Sequence, residues 1–172
     1  MEKKACSTCG KLKATLECGL CHQALCKSCT QFVDEDTFAF YRKVPKDLTY
    51  QTYCEPCHTS TVVPALEIYQ QKLETAKNID VFLKNQSKET HGIKRTENPV
   101  RVVDCPDYSQ ALLKLAFYAA EANCNGLVDV DMQDKKVRDG KYQTTLWSGS
   151  GIPVIIEPGK LIRDRSFRHN PN

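Results

Sequence analysis

No stretch of this 172-residue chain is apolar for long enough to cross a bilayer. The best candidate, Ala111 to Ala120, is interrupted by Lys114 and falls well short of the roughly 18 residues a span requires. A hydrophobic signal region is also missing, since Met1-Glu2-Lys3-Lys4 runs almost directly into the first cysteine. These absences lead to the expectation of a soluble, intracellular, cytoplasmic protein. There is no Gly-rich phosphate loop, no nucleophile elbow and no Cys/His dyad, so the chain is not expected to be an enzyme. Charge of one sign is scarce, with 24 Lys and Arg against 21 Asp and Glu. The length excludes a large multidomain enzyme and admits one domain or two small ones. Hydrophobic residues at 41% and charged residues at 26% sit near ordinary globular usage, which excludes wholesale disorder.

What the chain does have is ten cysteines. A reducing compartment disfavours disulfides, so a count this high points to metal. Eight of the ten lie between residues 6 and 57 as Cys6/Cys9, Cys18/Cys21, Cys26/Cys29 and Cys54/Cys57, each a C-x2-C pair. Such a pair on a tight knuckle lets two thiolates converge on one ion. Zinc takes four ligands at about 2.3 Å in a tetrahedron, so eight thiolates make two closed sites for two Zn2+. Ser7, Gly10, Gly19 and Ser28 stand in or beside the knuckles, where backbone amides must turn towards sulfur. A disulfide framework would need a secretion signal. Cys54-Glu55-Pro56-Cys57 has the form of a thioredoxin-type redox pair, but it follows a polar stretch rather than the strand such a pair requires. The pairs can share ions sequentially, first with second and third with fourth, or in an interleaved order.

The segments Cys6-Ser7-Thr8-Cys9, Ala14-Thr15-Leu16-Glu17-Cys18-Gly19-Leu20-Cys21 and Leu25-Cys26-Lys27-Ser28-Cys29 together resemble the start of a B-box zinc finger. The C-x2-C-x4-C-x2-C core is equally similar to a FYVE finger, and both belong with RING fingers to the cross-brace, treble-clef-like group. The resemblance covers about residues 5 to 60 and implies the interleaved order. Cys6, Cys9, Cys26 and Cys29 would then hold the first zinc, and Cys18, Cys21, Cys54 and Cys57 the second. It implies an adaptor that docks a protein partner. The alternatives it carries are a RING-like ubiquitin-ligase module and FYVE-like phosphoinositide targeting. Three departures bear on that choice. A B-box closes with histidines soon after the position of Cys29, whereas this chain waits for Cys54 and Cys57. The basic stretch that holds the inositol phosphate in FYVE fingers is replaced by Thr15-Leu16-Glu17, so a phosphoinositide membrane is disfavoured. A RING finger uses a histidine ligand, and His22 could replace Cys21. The regular spacing keeps the cysteine and leaves His22 beside the site or on the surface.

Between Cys29 and Cys54, the run from Phe32 to Tyr41 is too aromatic for a solvated loop. One reading is the small core that two zinc sites need; the other makes Phe38, Phe40 and Tyr41 a partner-binding patch. Pro64 opens a helical pattern with Leu66, Tyr69, Leu73 and Ala76 on one face. Ile79 to Leu83 then reads as a strand, residues 85–98 as a mobile polar loop, and Val100 to Val103 as a second strand. Asp107 or Ser109 caps a helix running to about Asn123. Leu127 to Met132 makes a third strand with Val128, Val130 and Met132 on one side. A hairpin at Asp139-Gly140 returns Tyr142 to Ile156, bent or bulged near Gly149 to Gly151. The expected fold class is α+β. It comprises a two-zinc cross-brace module over residues 1–62, a connecting helix over 63–77, a compact ββαββ domain over 78–157 with one helix packed on a sheet, and a basic, flexible tail over 158–172.

The Ala-rich helix, Ala122-Asn123-Cys124-Asn125-Gly126-Leu127-Val128-Asp129-Val130 and Gly151-Ile152-Pro153-Val154-Ile155 are similar to the bacterial YbjQ-like family, which carries a heavy-metal-binding label. Because members of that family form rings, the resemblance admits a homo-oligomer. The metal label does not transfer, since His91, Cys105, Cys124 and His169 share no ligand spacing. Cys105 is expected at a turn and Cys124 as a buried thiol. Asp129 and Asp131 stand two apart on a strand, which puts them on one face as paired carboxylates or as a solvated surface. The tail from Lys160 to His169 is basic with Phe167 interleaved, a pattern that suits a solvated end better than a nucleic-acid or lipid contact. Eight thiolates and two divalent ions would lower the formal +3 to about −1, so nucleic acid is not the expected partner.

Overall fold

In the computed structural model, which describes residues 4–159, 161 and 167–168, the chain divides into two units, Met1–Gln70 and Gln71–Asn172. Both mix helix and strand, and the fold class is α+β. Among the described residues no helix is long and apolar enough to cross a membrane.

The first unit is built from very short ladders. Strand β1 (Leu16–Glu17) pairs antiparallel with β2 (Ala24–Leu25), and β3 (Gln31–Phe32) pairs antiparallel with β4 (Thr52–Tyr53). Strands of two residues contribute little alone. Around them Leu25, Tyr53 and Val62 are fully buried. Phe38 stacks on Tyr41 with ring centroids 6.0 Å apart and meets Tyr69 edge-on at 5.5 Å. Such aromatic pairs add about 0.5–1.5 kcal/mol each beyond the area they bury. After β4 the backbone turns helical at α1 (Glu55–Cys57) and passes through a π-type stretch, His58–Val62, into α2 (Val63–Lys77). Helical backbone therefore begins at the fourth cysteine pair, ahead of Pro64. Proline lacks an N–H and its ring crowds the carbonyl four residues back; a wider turn just before it lets the helix continue.

The second unit centres on a sheet of order β6-β8-β7-β5-β9. Its strands are β5 (Asp80–Leu83), β6 (Val100–Cys105), β7 (Gly126–Asp139), β8 (Tyr142–Val154) and β9 (Phe167–Arg168). Every neighbouring pair is antiparallel except β5 with β7. Helix α3 (Tyr108–Glu121) packs on one face through Leu112 and Leu115, both fully buried. Its start is fixed by Asp107, whose carboxylate accepts from the Gln110 amide at 2.6 Å. Its end is a Schellman motif. Asn123 sits at φ +55, its N–H donates to the Ala120 carbonyl, and the Cys124 N–H donates to the Ala119 carbonyl.

Four expectations need correction. The bulges lie on β7 and β6, not on the glycines of β8. One extra residue is inserted between Val128 and Asp131, with Asp129 at φ +53, and another between Val102 and Cys105, with Asp104 at φ +53. Gly149 serves helix packing instead, since a Cβ there would meet the Met132 sulfur at 2.4 Å and Leu115 Cδ1 at 3.1 Å. The extra residue also shifts the alternation of β7. Val128 joins Phe82, Ile93, Val154 and Ile156 on the face away from α3, while Val130 lies with Leu127 against Gly151. Residues 85–98 are not a free loop, because Thr90 and Ile93 are buried within them. Finally, the tail expected to be flexible adds β9 to the sheet beside β5; Lys160, residues 162–166 and residues 169–172 lie outside the described residues.

Candidate metal centres

The four C-x2-C pairs adopt two local geometries. In the first, the pair closes a hairpin knuckle. The Gly10 N–H donates to the Cys6 carbonyl at 2.8 Å, and the His22 N–H donates to the Cys18 carbonyl at 2.9 Å. The Cys6 N–H donates to Lys11 and the Cys18 N–H to Gln23, so the two knuckles repeat bond for bond. Both need a left-handed residue after the second cysteine, with Gly10 at φ +70 and His22 at φ +58. In the second geometry the pair starts a helical turn. Cys26 precedes the 3-10 turn Lys27–Cys29, and Cys54 precedes α1.

Each candidate site combines one knuckle with one helical turn. Cys6, Cys9, Cys26 and Cys29 form one cluster and Cys18, Cys21, Cys54 and Cys57 the other, with all sulfurs of a cluster within 4.8 Å of one another. This is the interleaved grouping. The Cys9 and Cys26 sulfurs are 3.7 Å apart, as are those of Cys21 and Cys54. A tetrahedron with Zn–S bonds of about 2.3 Å has sulfur–sulfur edges of about 3.8 Å, so both clusters can hold a metal ion of zinc's size. No family model, curated protein or solved structure matches the chain. The B-box, FYVE and YbjQ-like resemblances rest on their motifs alone.

Electrostatics points the same way. The backbone amide of Cys9, followed by that of Cys26 at 3.4 Å, draws the Cys6 thiol down to about 6 against the opposing effect of burial. Burial pushes Cys18 up, but the amides of Cys21, Cys54 and Leu20 outweigh it and bring the thiol to about 6. Their neighbours resist ionisation. Cys29 is pushed up to about 12, first by the Cys26 sulfur and then by that of Cys9. Cys57 is pushed up by the Cys54 sulfur and by burial. Four sulfurs this close cannot all be thiolates unless a cation among them offsets the repulsion, and a divalent ion does so for all four at once.

The two clusters differ in what backs them. Cys18 and Cys54 belong to an apolar cluster with Leu25, flanked by Leu16 and Leu20. At the first cluster the neighbours are polar: the Ser28 hydroxyl lies 3.2 Å from the Cys26 sulfur, and the Thr30 hydroxyl donates to the Cys26 carbonyl at 3.0 Å. His22 lies on the surface, with Nδ1 2.8 Å from Glu17 Oε1.

The remaining expected residues fall elsewhere. Phe38 is only 2% exposed and belongs to the aromatic cluster, so Phe38, Phe40 and Tyr41 do not present a joint surface patch. Phe32, at 61%, and Leu12 are the large apolar side chains exposed in the segment that holds the cysteines. Cys105 and Cys124 are buried, and burial pushes both thiols up; neither joins a cluster of metal-ligating groups among the described residues. Asp129 and Asp131 do not form a carboxylate pair. Asp129 receives Arg95 in a two-point contact of 2.5 and 3.1 Å, whereas Asp131 faces Lys84 at 3.6 Å. Arg95 also donates to the Thr90 and Ile93 carbonyls, which ties residues 90–95 to the bulge in β7. Nothing in the local sequence signals that contact, since 34 positions separate its partners.

Proposed function

We propose that the chain is a non-enzymatic adaptor. Its first unit is a cross-brace, treble-clef-like module holding two structural Zn2+ ions, and it docks a protein partner. The second unit supplies another contact or self-association. The observation that carries this reading is the pair of closed four-cysteine clusters. When all four positions around an ion are filled by protein thiolates, none is left for substrate, and the metal acts on folding and on the shape of the surface. The knuckle-plus-helix construction repeated in both clusters supports the treble-clef comparison, and α2 following the fourth pair extends it.

Since Phe38 is buried, docking falls to the exposed part of the stretch between the third and fourth cysteine pairs, with Phe32 as its apolar anchor. Two measurements test the reading. Metal analysis of the purified chain should find two zinc ions per molecule, and crosslinking should capture a partner that is lost when exposed positions of residues 30–53 are substituted. Capture that is indifferent to those positions would refute the docking role. Autoubiquitination with a charged conjugating enzyme would favour the RING-like alternative. Selective flotation on phosphoinositide vesicles would favour the FYVE-like one.

A further inference from the structure

The two longest strands outrun the sheet they belong to. β5 accompanies β7 no further than Val130, opposite Leu83, and β6 accompanies β8 no further than Trp147, opposite Cys105. Beyond those points β7 and β8 pair only with each other, from Lys135 opposite Leu146 to Asp139 opposite Tyr142, and close at Gly140, at φ +59. A two-stranded ribbon is marginal in water. Its outer edges carry backbone donors and acceptors that meet no further strand among the described residues.

Directly opposed residues share a face of the ribbon. Lys136 with Thr145 and Arg138 with Gln143 line one side; Lys135 with Leu146 and Val137 with Thr144 line the other. Lys135, Lys136, Arg138 and Lys141 are exposed and form no ion pair among the described residues. At the tip Tyr142 is 82% exposed. Lysine on an open edge blocks pairing with a like edge, because a second copy would bring cation against cation. The same charges admit an acidic strand.

We propose that the free edge of β7, Gln133 to Arg138, is a docking strand for an extended acidic protein segment. The guest adds to the ribbon as a third strand, sets its carboxylates against Lys136 and Arg138 on one face and lays its apolar side chains beside Val137 on the other, where Lys135 adds to the positive charge of the edge. Backbone pairing supplies affinity and the charges supply selection. This gives the adaptor's second contact a location and a partner chemistry, and rests on that reading of the second unit. A nucleic-acid duplex would engage the cations but leave the edge amides, Val137 and Leu146 unused, so the acidic segment is the better fit.

The test uses the full, metal-loaded chain and a labelled peptide of alternating Glu and Val, with its Lys and Val counterpart and a short DNA duplex as comparisons. The acidic peptide should bind, more weakly as salt rises, and slow amide hydrogen exchange at Gln133 to Arg138; the basic peptide should do neither. The combined Lys135→Glu, Lys136→Glu and Arg138→Glu variant should lose about tenfold or more in affinity with unchanged circular dichroism and zinc content. If that variant misfolds, the salt and exchange measurements on the unaltered chain decide. No binding of the acidic peptide, binding without slowed exchange along β7, or tighter binding of the duplex would each overturn the proposal. A chain that binds the peptide but captures no partner through residues 30–53 would sink the finger-docking role alone. The reverse outcome would sink only the ribbon.

Discussion

Both units bury aromatic and aliphatic side chains, but on different scales. Up to Gln70 the strands are two residues long, and the apolar centre is a few side chains grouped around Leu25, Tyr53 and Phe38. Beyond it, one five-stranded sheet and α3 enclose Phe82, Leu112, Leu115, Phe117, Leu127 and Val128, all fully buried. A chain segment too short to build a large core needs another source of stability, and metal held by the two four-cysteine clusters would supply it. The comparison separates two ways of fixing a fold: by ligation at two points, or by excluding water from a contiguous surface.

Breaking one ligation point should give the largest effect. Cys26→Ala removes a thiolate from the first cluster and leaves three sulfurs around the ion. Structural zinc contributes roughly 10–16 kcal/mol in small fingers, far more than the whole stability of a unit this size. The expected outcome is loss of at least one zinc per chain and rapid amide exchange over residues 4–62, with residues 78–157 still protected. Metal analysis and regional hydrogen exchange check it. Retention of two zinc ions would contradict the ligand set.

The core offers the intermediate case. Leu115 is fully buried and its Cδ1 packs where Gly149 lets α3 approach β8. Leu115→Ala should cost about 2–5 kcal/mol, from lost burial plus the cavity left behind. Denaturation should show the loss in the second unit only, with zinc content unchanged. A variant that also shed zinc would mean that the two modes of stabilisation are not separable.

The same contrast accounts for what the sequence disclosed. Metal ligation is written in short, exact spacings, so the four C-x2-C pairs could be read directly, and the interleaved grouping followed from the resemblance they carry. Local signals also narrowed the α3 cap to Asp107 or Ser109, of which the structure uses Asp107, and marked Asp139-Gly140 as a hairpin. The misses involve long-range contacts or residues whose type misleads. Asp129 in the left-handed region shifts the register of β7, yet Val128, Val130 and Met132 look like ordinary alternation. Arg95 sits in a polar stretch whose order depends on a carboxylate 34 positions away. Lys135, Lys136 and Arg138 resemble loop residues because strands disfavour lysine, although Val137, Tyr142, Thr144 and Thr145 on either side of the turn were a strand signal.

The smallest expected effect is the one that distinguishes the two knuckles. Their hydrogen bonds repeat, but the left-handed position is glycine in the first and His22 in the second. A non-glycine residue there costs about 1–2 kcal/mol in backbone crowding. His22 recovers part of that through Glu17, but the pair is largely exposed, with side chains at 72% and 59%, and such contacts contribute at most a few tenths to about 1 kcal/mol. Glycine also loses more entropy on folding, which trims the gain from replacing the histidine. His22→Gly should therefore raise the stability of the first unit slightly, by about 0.5 kcal/mol, and slow zinc release from the second cluster while the first is unchanged. Chelator competition resolves the two release phases. If His22→Gly instead accelerated release, the imidazole would be acting on the cluster itself, and the knuckles would be alike in hydrogen bonding but not in the role of the residue that closes them.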